Sequence, residues 1–409
     1  MKGSSYILAS GYPYRALARI LTILILLGIS ATSTAGSREQ ARQMHDRLVG
    51  IPPSDTVLSQ MTDLIEQGDT NAAAYLAMEN PAFYSVTLKN WITPWTNESG
   101  DVFQPLNDYT ATVIGIMRDD IDFRQILSGD ILYVADSALG LPSYANNSNA
   151  HYQAIEQRDI DLSQDLVAST QSAVTGLPAE ATAGVLTTRA AAKAFFIDGT
   201  NRAMFRFTLI NHLCTDLEAL KDTSRNPDRI RQDVSRSPGG DSRIFMNACV
   251  GCHAGMDPLA QSFAYYNFAY QDDPENGALE YHAQDQLDPQ TGSRVQAKYL
   301  INSNNFVHGY ITQDDSWENY WRAGKNANLG WSAQLSGSGT GAKSMGEELA
   351  NSDAFAQCQV KKVFSNVCLR NPEDDADRSQ VEMMVNDFKT ASYQLKRVFA
   401  ESANYCKGS

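Results

Sequence analysis

Cys249-Val250-Gly251-Cys252-His253 is the stretch around which this 409-residue chain is organised. Two cysteines three positions apart lie on one face of a helical turn, and the adjacent histidine brings an imidazole beside the two thiols. This spacing is the attachment signature of a c-type haem, in which the imidazole ligates the iron from one side. We therefore predict a single covalent haem c, with thioether bonds to Cys249 and Cys252 and with His253 as proximal ligand. A zinc site would need two more ligands at a suitable spacing, and a redox-active cysteine pair would need a surrounding βαβ pattern.

The N-terminus has the pattern of an export signal. Lys2, Arg15 and Arg19 form a positive region, an apolar run spans residues 20–29, and Ser33-Thr34-Ala35 offers small residues for cleavage. We predict that residues 1–35 are a signal peptide and that the mature protein is periplasmic. An uncleaved anchor is the alternative, but a membrane span needs about 20 apolar residues. After cleavage, no membrane insertion is expected.

The charge of the chain limits its partners. The formal net charge is −14, with 47 acidic and 33 basic residues. Such a surface disfavours nucleic acid and anionic membranes. It favours a redox partner protein with a basic docking face.

Four cysteines remain outside the motif, and an even number in an oxidising compartment predicts two disulfides. Three connectivities are possible. We favour Cys358 with Cys368, which closes a short loop, and Cys214 with Cys406, which ties the end of the chain to its middle. Buried free thiols are the alternative.

Apolar residues recur at three- and four-residue spacings, without sustained alternation, and this predicts a mainly α-helical fold. We expect a helical domain over residues 36–236 and a cytochrome c-like haem domain with C-terminal helices over 237–409. Helices are predicted from Asp55 towards Gly68, in the alanine-rich run after Asn71, and over 109–117, 198–222 and 379–405. Loops are predicted at 146–149, 238–240 and 336–341, with a polar excursion over 271–305.

The segment from Cys249 to Leu259, with its Asp257-Pro258-Leu259 and the aromatic stretch 263–270, resembles the haem segment of planctomycete-type cytochrome c proteins. Weaker likenesses lie at 118–136, 184–189, 199–202, 213–214 and 355–358. The chain departs from these proteins at 263–266, where Phe-Ala-Tyr-Tyr replaces a Glu and a Phe-Asp pair. The resemblance implies an exported, mainly helical protein with one haem, and it implies no substrate.

The sixth iron ligand separates an electron carrier from a reactive haem, because an open iron binds small molecules. Met345 follows a glycine-rich loop and is the predicted ligand, with His308, His282 or no protein ligand as alternatives. Electron transfer is the predicted function, and no catalytic residue is assigned. The alternatives are a haem peroxidase or oxidase with an open iron, and a haem-bearing protein that binds a partner or senses a ligand.

Overall fold

The fold is mainly helical, and the computed structural model describes residues 35–408. The predicted signal peptide therefore lies outside the described residues, apart from Ala35. The α-helices are α1 Ser37–Val49, α2 Asp55–Glu66, α3 Thr70–Met78, α4 Lys89–Ile92, α5 Asp108–Arg118, α6 Gln125–Ser128, α7 Ala150–Gln157, α8 Gln171–Thr175, α9 Arg189–Phe195, α10 Arg202–Leu213, α11 Ser242–Ile244, α12 Val250–Ala260, α13 Gly341–Ala350, α14 Asp353–Cys368, α15 Asp375–Thr390 and α16 Leu395–Cys406. Within residues 35–408, no helix combines the length and the apolar character that crossing a bilayer requires.

Short strands form antiparallel two-stranded ribbons between these helices. The pairs are β1 Leu132–Ala135 with β2 Leu166–Ser169, β3 Tyr266–Ala269 with β4 Ala278–Tyr281, and β5 Ser316–Glu318 with β6 Ser338–Thr340. Strands of this length are too short for alternating hydrophobicity to be recognised in the sequence. Two ribbons correct the loop predictions, because β6 lies inside 336–341 and β4 lies inside 271–305.

Three predicted helices begin within two residues of their predicted starts, and each has a capping side chain. Ser54 accepts a hydrogen bond from the Val57 N–H before α2, and Asp69 caps α3 in the same way. Asn107 caps α5 by accepting from the Thr110 N–H. These bonds satisfy N–H groups that the first helical turn leaves without partners.

Two predicted helices are shorter than the periodicity indicates. The helix expected over 198–222 is α10 alone, because Cys214 adopts a left-handed backbone with φ 53°. The helical face expected over 379–405 is split into α15 and α16, and between them Ser392 and Tyr393 have φ 55° and 58°. A left-handed residue ends the repeating hydrogen-bond pattern of a helix.

Most buried side chains belong to one large hydrophobic core that draws on both ends of the chain. The last helix, α16, packs against α1 and α3, and α14 packs against α10. Phe399 of α16 contacts Phe83 edge to face, with ring centroids 5.4 Å apart. The helices before and after residue 236 thus share a core, and the division into domains 36–236 and 237–409 stays a prediction.

The structure contains two disulfides, as predicted, but both favoured pairings were wrong. Cys214 is bonded to Cys358, and Cys368 is bonded to Cys406. Cys358 and Cys368 both lie on α14. Ten residues of α-helix span about 15 Å, whereas a disulfide requires Cα atoms within about 7 Å. The rigid helix therefore excludes the short loop that we favoured.

Candidate haem attachment site

The cysteine–histidine motif lies where a π-helical turn meets an α-helix. Phe245–Cys249 is π-helical, and Cys252 and His253 lie in the first turn of α12. Single π-helical turns are frequent at functional sites. Cys249 and Cys252 are half-buried and form no disulfide, whereas the other four cysteines are paired. The structure thus leaves free the two thiols that the motif requires.

The thiol of Cys252 is held as a neutral hydrogen-bond donor. Its Sγ lies 3.4 Å from the carbonyl oxygen of Leu217. Burial raises the pKa of Cys252, and the nearby charge of Lys221 opposes this only in part. Reactive redox cysteines have lowered pKa values, so this environment disfavours the redox-pair interpretation.

Two glycines of α12 are closely packed against neighbouring residues. A Cβ atom at Gly255 would lie 2.0 Å from Nε1 of Trp321, and one at Gly251 would lie 2.6 Å from Cγ of Lys221. The Asp222 N–H also donates to the Gly251 carbonyl at 3.0 Å. These contacts hold α12 against Trp321 and against the segment that contains Lys221 and Asp222.

His253 is oriented by a buried carboxylate one turn further along α12. Its Nδ1 donates to Oδ1 of Asp257 at 3.1 Å, and the Asp257 side chain is fully buried. Arg202 donates to both carboxylate oxygens, from Nε at 2.7 Å and from Nη2 at 2.9 Å. The backbone N–H of Arg231 adds a third donor at 3.1 Å. Arg202 also pairs with Asp233, so two carboxylates share one guanidinium.

These contacts keep Asp257 charged. Burial by itself would raise the pKa of Asp257, but the positive charge of Arg202 and the contact with His253 hold it well below its ordinary value. An ionised carboxylate only accepts hydrogen bonds, so the proton of the shared bond belongs to Nδ1 of His253. In the neutral ring, the lone pair then lies on Nε2, which makes no hydrogen bond to the described residues. Histidine ligands in metal sites commonly have this arrangement, because a carboxylate on the other nitrogen fixes the ring and its tautomer.

Three large apolar side chains lie near the motif in the sequence. Before Cys249, Ile244 and Met246 are 47% and 57% exposed. On the same face of α12, Met256 is buried three residues beyond His253. The free thiols and the unengaged Nε2 therefore fit the attachment of haem c at Cys249, Cys252 and His253.

Met345 lies in a different environment from the one predicted. It is inside α13 rather than in a loop, and its side chain is fully buried in the large core. Its neighbour Gly346 packs against the carbonyl of Leu127 in α6, which holds α13 in place. The His253 side chain, in contrast, is 21% exposed. The role of Met345 stays a prediction.

The two alternative histidine ligands are separate from the motif in their contacts. Nδ1 of His282 lies 2.9 Å from the carbonyl oxygen of Arg294. The backbone N–H of His282 donates a hydrogen bond to the carbonyl oxygen of Tyr265. His308 is exposed, and its ring contacts Phe306 edge to face. Neither has a hydrogen bond to Cys249, Cys252 or His253.

The carboxylate network was missed in the sequence, although part of it was detectable. His253 and Asp257 are four residues apart, and this spacing places them on the same side of a helix. Arg202 is 55 residues from Asp257 and 31 residues from Asp233, so the primary structure does not show that these side chains meet.

Among residues 35–408, no group of three or more histidine, cysteine, aspartate or glutamate side chains is arranged to hold a bare metal ion. A comparison of the chain with protein-family models, with curated proteins and with solved structures finds no match in any of the three.

Proposed function

We propose that this protein is an exported mono-haem c-type cytochrome that transfers electrons. One observation carries the proposal: Cys249 and Cys252 are free and half-buried beside an imidazole whose Nδ1 is fixed by Asp257. Four other cysteines are paired, so the thiols of the motif are distinguished from the rest of the chain by their bonding state.

When bound, haem c supplies a one-electron couple that accepts an electron from a reduced protein and passes it to an oxidised one, without making or breaking a bond. The protein's own residues bind and orient this group. Cys249 and Cys252 would hold it covalently, and His253 would present Nε2 to the iron. Since the motif is partly exposed, an edge of the group would lie close to solvent, where a partner can approach.

The acidic chain supports a redox partner with a basic docking face, because complementary charge speeds the encounter of two proteins. The two disulfides support an oxidising compartment outside the cytoplasm, in agreement with the predicted export signal.

Covalent haem is tested by haem staining of a denaturing gel after expression with a cytochrome c maturation system. The stain should be present in the unchanged protein and lost in the double variant Cys249→Ala/Cys252→Ala. The matched control is Cys214→Ala/Cys358→Ala, which also removes two cysteines and should keep the stain. An unstained wild-type protein, or a stained motif variant, would contradict the proposal.

The buried position of Met345 favours a second candidate, a haem enzyme or ligand sensor with an open iron. Visible spectra with and without carbon monoxide separate the two functions. A low-spin spectrum that ignores the gas indicates two protein ligands and electron transfer. A high-spin spectrum that shifts indicates an open site. In the variant Met345→Ala, loss of a thioether-to-iron band would identify Met345 as the ligand after all.

A further inference from the structure

The network behind His253 contains more charge than is needed to orient a ring. A backbone carbonyl would suffice to accept the Nδ1 proton, yet the acceptor is the carboxylate of Asp257, which has no exposed side-chain surface. Arg202 binds this carboxylate through two N–H groups and has only 20% of its own side chain exposed. The ion pair is thus preformed before any ligand binds.

A charged acceptor changes the imidazole electronically. As the Nδ1 proton is drawn towards Asp257, the ring becomes a stronger electron donor at Nε2, and second-shell hydrogen bonds of this kind tune bound metals. A stronger donor stabilises the oxidised iron relative to the reduced iron, which lowers the reduction potential. Burial strengthens the effect, since a charge in a low-dielectric interior is less screened.

We infer that Asp257, held in place by Arg202, is a positioning residue that makes His253 a strong donor and lowers the reduction potential of a haem bound there. The inference rests on the proposed haem attachment. Asp233 supports the network from the other side of Arg202, with Oδ1 2.8 Å from Nη2, but it does not contact His253. This difference provides a matched pair of carboxylates: both neutralise Arg202, and only one contacts the ring.

The test is a redox titration of the haem-loaded protein and of the variants Asp257→Asn and Asp233→Asn. Asp257→Asn keeps the side-chain shape and removes the charge. It should change the ratio of oxidised to reduced protein at a fixed potential at least tenfold in favour of the reduced form, a rise of 59 mV for one electron. Asp233→Asn should change the ratio less than threefold. Equal shifts in the two variants, or no shift in Asp257→Asn, would overturn the inference and leave covalent attachment intact.

A second measurement needs no variant, because Asp257→Asn leaves part of a buried guanidinium unpaired and could fail to fold. In the reduced wild-type protein, the Nδ1 proton of His253 should be visible by NMR and should exchange slowly with solvent, since it is held by a buried carboxylate. Fast exchange of that proton would overturn the inference. Absence of haem stain in the same preparation would instead overturn the proposed function, and the inference with it.

Discussion

The corrected disulfide pairing predicts how much each bond stabilises the protein. In the chain-entropy account, a disulfide restricts the unfolded chain, and the effect grows with the size of the closed loop. Cys214–Cys358 spans 144 residues and Cys368–Cys406 spans 38. The loop lengths correspond to about 5 and about 4 kcal/mol of stabilisation at 25 °C.

The double variants Cys214→Ala/Cys358→Ala and Cys368→Ala/Cys406→Ala test these values. We expect the first to lose about 1 kcal/mol more than the second, because both bonds connect helices of the same core and differ mainly in loop length. Guanidinium unfolding at 25 °C measures the loss. The slope of the transition should also increase in both variants, since the unbridged unfolded chain exposes more surface.

Peptide mapping under non-reducing conditions checks the connectivity directly. A proteolytic digest should contain one linked pair joining Cys214 to Cys358 and another joining Cys368 to Cys406. A peptide that links Cys358 to Cys368 would refute the reasoning, as would a smaller loss of stability in the first double variant than in the second.

Three further predictions concern packing and pH. Gly255→Ala should destabilise the protein by about 1 to 2 kcal/mol in guanidinium unfolding, because the clash with the Trp321 indole exceeds the gain in helix propensity. Gly251→Ala should destabilise it less, because the added methyl group meets the flexible side chain of Lys221. A larger loss of stability in Gly251→Ala than in Gly255→Ala would contradict the packing at these two positions. His212 is buried, and burial holds its pKa well below 6.5. As the pH falls below 6.5, His212 therefore becomes protonated in the unfolded chain but stays neutral in the folded protein. The free energy of unfolding should fall by up to about 1.4 kcal/mol per pH unit below pH 6.5. His212→Gln should make this pH dependence shallower, and an equally steep pH dependence in the variant would contradict the role of His212. Burial raises the pKa of Asp315 from 3.8 to about 6, so its ionisation in the folded protein costs stability as the pH rises from about 4 to 6. Asp315→Asn should therefore stabilise the protein by about 1 kcal/mol at pH 7, after discounting for partial exposure, and should have no effect near pH 4. The same gain in stability at both pH values would contradict the raised pKa of Asp315.

The accuracy of the sequence predictions depended on how local each feature is. The start of α2 was predictable because Ser54 and the N–H group that it caps are three residues apart. The end of α10 was not predictable, because Cys214 leaves the helical conformation where it bonds to Cys358. Helical periodicity continues past such a point, since it reports which residues are apolar and not where the backbone turns.

In the candidate site, too, the features that depend on nearby residues were predictable and those that depend on distant residues were not. The thiols and the imidazole were predicted as site residues from spacing alone, since one helical turn brings them together in any fold that makes this segment helical. The carboxylate behind His253 could have been found from its four-residue spacing, but its charge state depends on Arg202, which is 55 residues away. Met345 was predicted to lie on a loop because it follows a glycine-rich segment, whereas it lies in α13 and its side chain is buried in the core.

The sequence by itself determined the helical character of the chain, the capped start of α2 and the order of thiols and imidazole at Cys249, Cys252 and His253, because all of these depend on contacts within one or two helical turns. Only the tertiary structure decided the disulfide partners, the ends of the long helices and the ion pair between Arg202 and Asp257. Those features depend on residues that are far apart in the sequence and are brought together by a core that both ends of the chain build. Burial strengthens the ion pair in particular, because a charge in a low-dielectric interior is less screened.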